Sequence, residues 1–290
     1  MRKKIRPYIL AAPVIALCAI LIISMINGMI QSFGIIPAFH MTRPTLAYYQ
    51  EILTNKSLME SIGLSLYIAL VTTLLALIIG SLLCWALILL RKKGGALEQV
   101  LKLPILVPHT VVAILIINLL ASTGLLSRIL MTMGMTGAAE WVSHVLYTPA
   151  SWGVIFAYLW KEIPFVCYFI AAVMGSIDSS YGEAARNLGA GKWSAFLNVT
   201  LPLCRPAILN SGLIIFCYSF GAYELPFLLG STLPKALPVQ TYIEYTHPDL
   251  THRPYAMALN MIMLLICLIA AGGYYLLIQQ KFSKPGRRSR

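Results

Sequence analysis

Apolar residues fall in six long runs, separated by short segments that hold most of the charge. The runs cover about 8–33, 62–90, 103–122, 151–175, 207–229 and 255–279. Each is close to the ~20 residues that an α-helix needs to cross a hydrocarbon core of about 30 Å. The alternating apolar decamers of a membrane β-barrel are absent from the sequence. The pattern therefore predicts an all-α integral membrane protein with six transmembrane helices.

Basic residues are distributed unevenly between the connecting segments. Sixteen of the 22 Lys and Arg residues lie in the two terminal tails and the second and fourth connections, whereas five lie in the other connections. Because cytoplasmic loops are enriched in Lys and Arg, both termini are expected in the cytoplasm. The first run is longer than a secretory signal core and no A-x-A-like site follows it, so an uncleaved first helix is predicted.

Composition supports a membrane protein and excludes an ordinary soluble enzyme. Apolar residues make up 59% of the chain and charged residues only 11%, whereas globular proteins carry about 25% charged residues. The net charge of +12 follows from the enrichment of Lys and Arg in the segments expected in the cytoplasm, so nucleic-acid binding is not needed to explain it. The six cysteines and five histidines show no metal-binding spacing, and we expect neither a disulfide nor a metal site.

The fourth connecting segment, residues 176–206, has its own pattern of helix signals. Ser180 and Glu183 have the spacing of a capping box, and Gly189 is placed to end a short helix in a left-handed conformation. A second amphipathic stretch carries Trp193, Phe196 and Leu197. Two short helices joined at Gly189 are therefore predicted. Their apolar side would lie among lipid headgroups or dock into another protein.

The same segment contains E-A-A at 183–185, Gly189 and, nine residues later, V-T-L-P at 199–202. This arrangement resembles the EAA loop of the membrane subunits of bacterial binding-protein-dependent ABC importers. That family's pattern ends in I-x-L-P, so only Val199 departs from it. The residues to which the resemblance assigns coupling with an ATPase are Glu183, Ala184, Ala185, Leu188, Gly189, Leu201 and Pro202.

The resemblance extends from about residue 58 to residue 279. The W-K-E-I-P-F segment at 160–165 resembles the W-x-x-(I)-P-F element that precedes the loop in this family. The F-G-x-x-x-x-P-x-L-L-G segment at 220–230 resembles one found in the polyamine, iron, sulfate, thiamine and aminophosphonate branch. The implied organisation is a tail, first helix and external loop over 1–57, and a type I ABC importer transmembrane domain over 58–279 with the coupling loop at 183–202. A basic cytoplasmic tail follows at 280–290.

The resemblance implies a permease subunit in a bacterial inner membrane. Its implied partners are a dimer of ATPase subunits that bind ATP and Mg²⁺, a second permease that is a copy or a homologue, and an extracytoplasmic solute-binding protein. No cofactor is expected on this chain. A phosphate loop needs G-x-x-x-x-G-K-[ST], and Gly191-Lys192 is followed by Trp193, so ATP hydrolysis is expected on a separate chain.

Ionisable residues inside membrane spans are costly and are candidate functional sites. The candidates for a translocation path are Lys161, Glu162, Tyr223, Glu224, Asn118 and Asn260. The charged members would either line a hydrated path or form an ion pair that holds the fourth and fifth spans together. Pro164 and Pro226 are expected to kink their spans, and His109 is expected at the membrane interface.

The polar residues alone leave two other functions open. An intramembrane enzyme or a stand-alone secondary transporter could also use Lys161, Glu162 and Glu224. The enzyme would act without ATP, and secondary transporters often contain internal repeats, of which none is evident here. The carboxylates suit a cationic solute such as a polyamine or Fe(III), whereas Lys161 suits an anion or a zwitterion. The branch resemblance favours a polyamine-like solute.

Overall fold

The computed structural model describes residues 2–89, 96–174 and 180–282, which are largely helical and contain no β-strand. The helices of the first half are α1 (Arg2–Ser32), α2 (Ala47–Thr54), α3 (Lys56–Leu89), α4 (Ala96–Leu106), α5 (His109–Leu120), α6 (Leu125–Thr132) and α7 (Ala138–Ser143). Those of the second half are α8 (Trp152–Met174), α9 (Ser180–Asn187), α10 (Lys192–Ala195), α11 (Leu201–Leu203), α12 (Arg205–Gly221), α13 (Glu224–Leu229), α14 (Leu237–Tyr245) and α15 (Arg253–Phe282). A π-helical segment, Phe196–Thr200, joins α10 to α11.

Within the described residues, five stretches are long and apolar enough to cross a membrane. They are Leu10–Ser32, Lys56–Leu87, His109–Thr132, Trp152–Met174 and Leu250–Leu276. A sixth is added when Lys192–Leu203 and Arg205–Gly221, which meet at a bend of 68°, are counted as one broken span. The predicted all-α membrane fold with six spans is confirmed.

The fifth apolar run, 207–229, is not the single helix that its hydropathy predicts. Helix α12 ends at Gly221, Ala222 is extended with ψ of 135°, and α13 begins at Glu224. Pro226 lacks the N–H group that would bond the Ala222 carbonyl in a continuous helix, which accounts for the interruption. The expected kink at Pro226 is therefore a complete break, two residues long.

The third run, 103–122, is also divided. Pro108 separates α4 from α5 and has ψ of 148°, which is not a helical value. Its missing N–H group would have bonded the Pro104 carbonyl. Pro164, in contrast, lies inside the continuous helix α8.

The described chain divides into two compact units. The first comprises Met1–Met59 and Gln240–Leu265. In it, the Tyr49 hydroxyl donates to Ser32 Oγ at 2.6 Å, and the Tyr48 and Tyr255 rings meet edge to face at 4.9 Å. The apolar stretch of α1 is exposed along its length within the chain, a surface suited to lipid.

The second unit comprises Glu60–Val239 and Ile266–Arg290, and its core is built around α8. Helices α4, α5, α12 and α13 all pack against α8, and Ile155, Tyr158 and Ile170 of α8 are fully buried. Gly80 lets α3 approach α8, since a Cβ atom there would lie 2.7 Å from Val166 Cβ. Small residues allow such close approach between membrane helices.

Candidate functional site

Helix α9 ends at a left-handed glycine. Gly189 has φ of +90°, and the Ala190 N–H donates to the Ala185 carbonyl at 3.0 Å. This is the long bond of a Schellman cap, which satisfies a carbonyl of the last helical turn. The predicted pair of short helices joined at Gly189 is confirmed. The predicted capping contact between Ser180 and Glu183 falls on side chains outside the described part of the structure.

The cap presents an apolar side chain to solvent. Leu188 is 90% exposed, more than any other large apolar residue in the described chain, and it directly precedes the Gly189 turn. On α9, Ala184 is exposed and Ala185 is half-buried. Leu201 and Pro202, in α11, are half-buried. A large apolar side chain held in the open by a fixed turn is typical of a docking surface.

The second half of the loop is anchored to the chain's own bundle. Trp193 meets Trp85 of α3 edge to face at 4.6 Å and stacks on Phe196 at 5.9 Å. Phe196 is buried. The expectation of an apolar side left for lipid or a partner was therefore wrong for Phe196 and only partly right for Trp193, which remains 43% exposed. The most exposed large apolar side chain of the loop is that of Leu188.

A second group of polar residues gathers at the two helix breaks. Helix α13 packs against α5 and α8, and α4 packs against α8, so the first turns of α5 and α13 lie close together beside α8. The residues concerned are Tyr158, Lys161 and Glu162 on α8, His109 on α5, Tyr218 on α12 and Glu224 on α13. Local unwinding beside buried charge is typical of transport sites in membrane proteins.

Lys161 is buried, with 7% of its surface exposed. Its Nζ donates to the Val107 carbonyl oxygen at 2.5 Å. Among residues 2–89, 96–174 and 180–282, no carboxylate oxygen lies within 4 Å of this ammonium. The ion pair expected to join the fourth and fifth spans is therefore absent from the described residues, and the last carbonyl before the α4–α5 break is the partner of Lys161 instead.

His109 joins the two broken helices. Its Nε2 lies 2.9 Å from the Tyr218 hydroxyl of α12, and its Nδ1 lies 3.9 Å from Glu224 Oε2 of α13. The interfacial position of His109 stays a prediction, and the structure adds that its imidazole contacts two other helices. Sequence reasoning missed Tyr218 altogether and undervalued His109. The one available signal was Pro108, which fixes His109 as the first residue of a helix.

Tyr158 extends this group into the core. It is fully buried, its ring meets that of Tyr218 edge to face at 6.4 Å, and its hydroxyl has no hydrogen-bond partner in the described structure. Glu162 is also buried. Since adjacent helical residues point about 100° apart, Glu162 and Lys161 face different neighbours.

The other candidates are placed differently. Tyr223 lies in the break before α13 and stacks on Phe227 at 4.9 Å. The Asn118 amide donates to the Ile114 carbonyl of its own helix at 2.9 Å. Asn260 belongs to the other compact unit and is half-buried. Among the described residues, no group of three or more His, Cys, Asp or Glu side chains is arranged to hold a metal ion.

The sequence model of one protein family matches most of the chain. The family is described as "Binding-protein-dependent transport system inner membrane component", and the match covers residues 73–284. This range includes both the loop with the Gly189 turn and the group of polar residues at the helix breaks.

Individual relatives are transport proteins. The molybdenum transport system permease protein ModB of Escherichia coli K12 is 28% identical over 188 residues, covering 63% of this chain and 78% of ModB. The sulfate transport system permease protein CysT of the same strain is 24% identical over 224 residues, covering 77% of each chain.

A solved structure shares the fold. The match is to a bacterial alginate ABC transporter in complex with an alginate pentasaccharide-bound periplasmic protein. The TM-score is 0.79 at 19% identity, and the alignment covers 99% of both chains.

Proposed function

This chain belongs to the family of binding-protein-dependent transport system inner membrane components, and on that premise we propose how it works in import. It is the permease subunit of an ABC importer, and it lies in the inner membrane as a multi-pass protein. It is not an enzyme. The intramembrane hydrolase and the secondary transporter that the polar residues left open are set aside by this membership.

The loop of α9 to α11 is the site that couples the permease to a separate ATPase. The observation that carries this proposal is Leu188, which is 90% exposed beside the fixed turn at Gly189. Leu188 enters an apolar cleft of the ATPase, and Ala184 lines the contact, since a small side chain allows close approach. Glu183 and Gly189 maintain the shape of the loop. Leu201 and Pro202 connect it to α12.

The partner subunits supply the energy and the solute. ATP and Mg²⁺ bind a dimer of ATPase subunits, a second permease completes the translocation path, and an extracytoplasmic binding protein delivers the solute. Closure of the ATPase dimer displaces the loop, and the loop moves the bundle between inward-open and outward-open states as a rigid body. The path passes the polar group at the helix breaks, which includes Lys161, Glu162 and Glu224, and it also passes Tyr223, which precedes Glu224 in the chain. Asn118 and Asn260 are the other polar residues that we propose for the path.

Substitution of Leu188 tests the coupling proposal. We expect Leu188→Asp to abolish co-purification of the ATPase from mild detergent and to stop ATP-dependent uptake. The reason is that a buried, unpaired carboxylate in the cleft costs several kcal/mol, about a hundredfold or more in affinity. The measurement is a pull-down of the tagged chain from its native membrane, with mass spectrometry of the bound proteins.

Leu233→Asp is the matched control. Leu233 is also highly exposed, at 72%, but lies outside the loop, between α13 and α14. This variant should retain the ATPase and the second permease. An ATPase that stays bound to the Leu188→Asp variant, or a wild-type chain that purifies without any ATPase, would contradict the assignment of the loop.

A further inference from the structure

We propose that Lys161 and the first turn of α5 form a transient binding site for an inorganic oxyanion, which makes the transported solute an anion. This inference rests on the proposed function as an importer. In the present structure the Val107 carbonyl oxygen accepts a hydrogen bond from Lys161 Nζ at 2.5 Å. The passing anion takes the place of that carbonyl.

The first reason is the cost of burying Lys161. An ammonium group has three N–H donors, and this one is 93% buried with a single described acceptor, a backbone carbonyl. No carboxylate oxygen of the described residues lies within 4 Å of this ammonium, and Glu162 and Glu224 act on it only from a greater distance. Buried charged residues within membrane proteins usually serve function. An anion in direct contact with Nζ supplies a close opposite charge and further acceptors.

The second reason is the position of the ammonium at a helix N-terminus. Val107 is followed by Pro108 and by His109, the first residue of α5. The first N–H groups of a helix have no partner within the helix, and this end of the helix carries partial positive charge. In this structure a lysine ammonium and the N-terminus of a 12-residue helix coincide, and both favour an anion.

The third reason is a buried hydroxyl group without a partner. Tyr158 precedes Lys161 by three residues on α8, so the two side chains share one helix face. Its hydroxyl has no acceptor or donor in the described structure, and its ring packs on Tyr218, which bonds His109 at the start of α5. An anion large enough to reach from Lys161 to this hydroxyl would accept a hydrogen bond from it.

Two carboxylates nearby keep the site weak. Glu224 lies 3.9 Å from His109 Nδ1 and is 54% exposed, and Glu162 is the buried neighbour of Lys161 on α8. Both repel an anion, and a transport path requires binding that is weak enough for release. The relatives named above act in molybdenum and sulfate transport, which also favours an oxyanion. The inference therefore departs from the polyamine-like solute that the branch resemblance favours.

The test uses the whole importer, purified with its ATPase, second permease and binding protein, in proteoliposomes that contain ATP. The probes are labelled sulfate, molybdate and phosphate, with spermidine as a cationic control. Wild type should import at least one oxyanion and not spermidine. Lys161→Gln should reduce the initial rate for that anion at least about tenfold, as expected when a charge-assisted hydrogen bond is lost. Lys161→Arg should retain most of the rate.

Tyr158→Phe separates a role in binding from a role in folding. It removes only a hydroxyl that has no partner in the described structure, so the complex should assemble as the wild type does, whereas the KM for the anion should rise about three- to tenfold. Lys235→Gln, which neutralises a lysine between α13 and α14, should behave as wild type.

The outcomes distinguish this inference from the proposed function. Assembled Lys161→Gln and Tyr158→Phe complexes with wild-type uptake would overturn the anion site while leaving the importer intact. An assembled, ATP-hydrolysing wild type that imports none of the three oxyanions would overturn it as well. If no ATPase accompanies the chain, the proposed function itself fails, and the anion site fails with it.

Discussion

At the residue scale, the backbone of Gly189 is the feature with the clearest consequence. Its φ of +90° is strained for any residue with a Cβ atom, most of all a β-branched one, although no other atom lies within 4 Å of the Cβ position. We expect Gly189→Val to destabilise the turn by about 1–2 kcal/mol and to uncouple ATP hydrolysis from uptake. Membrane insertion should be normal. The measurement is the ratio of solute imported to ATP hydrolysed in proteoliposomes.

Gly191→Val provides the matched control for this prediction. Gly191 lies two residues later in the same loop, has an ordinary φ of −64°, and likewise has open space at its Cβ position. This variant should keep the wild-type ratio. Equal behaviour of the two variants would show that the left-handed turn does not matter for coupling.

At the element scale, the contact between α3 and α8 depends on Gly80. A Cβ atom at Gly80 would lie 2.9 Å from the Ile163 carbonyl oxygen as well as against Val166, so the helices must separate to admit a methyl group. We expect Gly80→Ala to cost about 1–3 kcal/mol and to lower the thermal midpoint of the detergent-purified chain. Gly63→Ala on the same helix meets nothing within 4 Å and should leave the midpoint unchanged or raise it. Equal midpoints would contradict this account of the interface.

The helices could be predicted from the sequence because hydropathy is a local property, and the Gly189 turn because glycine has a local conformational signature. The helix breaks also have local causes, at Pro108 and Pro226, but a proline inside α8 at Pro164 breaks nothing. Proline alone therefore does not decide between the outcomes. Whether a helix is interrupted at a proline depends on the packing around that proline, and the sequence does not contain this information directly.

The contacts of the candidate site could not be predicted in the same way. Lys161 and Val107 are 54 residues apart, and His109 and Tyr218 are 109 residues apart. Charge complementarity suggested carboxylate partners for Lys161, but the described structure pairs it with a backbone carbonyl that a helix break makes available. No periodicity in the chain indicates such a partner.

At the scale of the whole molecule, the uneven distribution of Lys and Arg predicts the orientation in the membrane. We expect a green fluorescent protein fused after Arg290 to fluoresce, and alkaline phosphatase fused there to be inactive. Alkaline phosphatase inserted after Met135, between the third and fourth apolar runs, should be active, since it folds only outside the cytoplasm. An active phosphatase at the C-terminus would reverse the assigned orientation and place the Gly189 turn on the wrong side for an ATPase.

The bend of 68° after Leu203 also has a mechanical meaning. The segment Lys192–Leu203 is continuous in the chain with α12. It also contacts α3, because the Trp193 ring packs against the Trp85 ring. A displacement of this segment therefore moves α3 and α12 at the same time. Because α3 and α12 cannot respond to this displacement independently, the resulting motion is a rotation of several helices together and not the sliding of one helix.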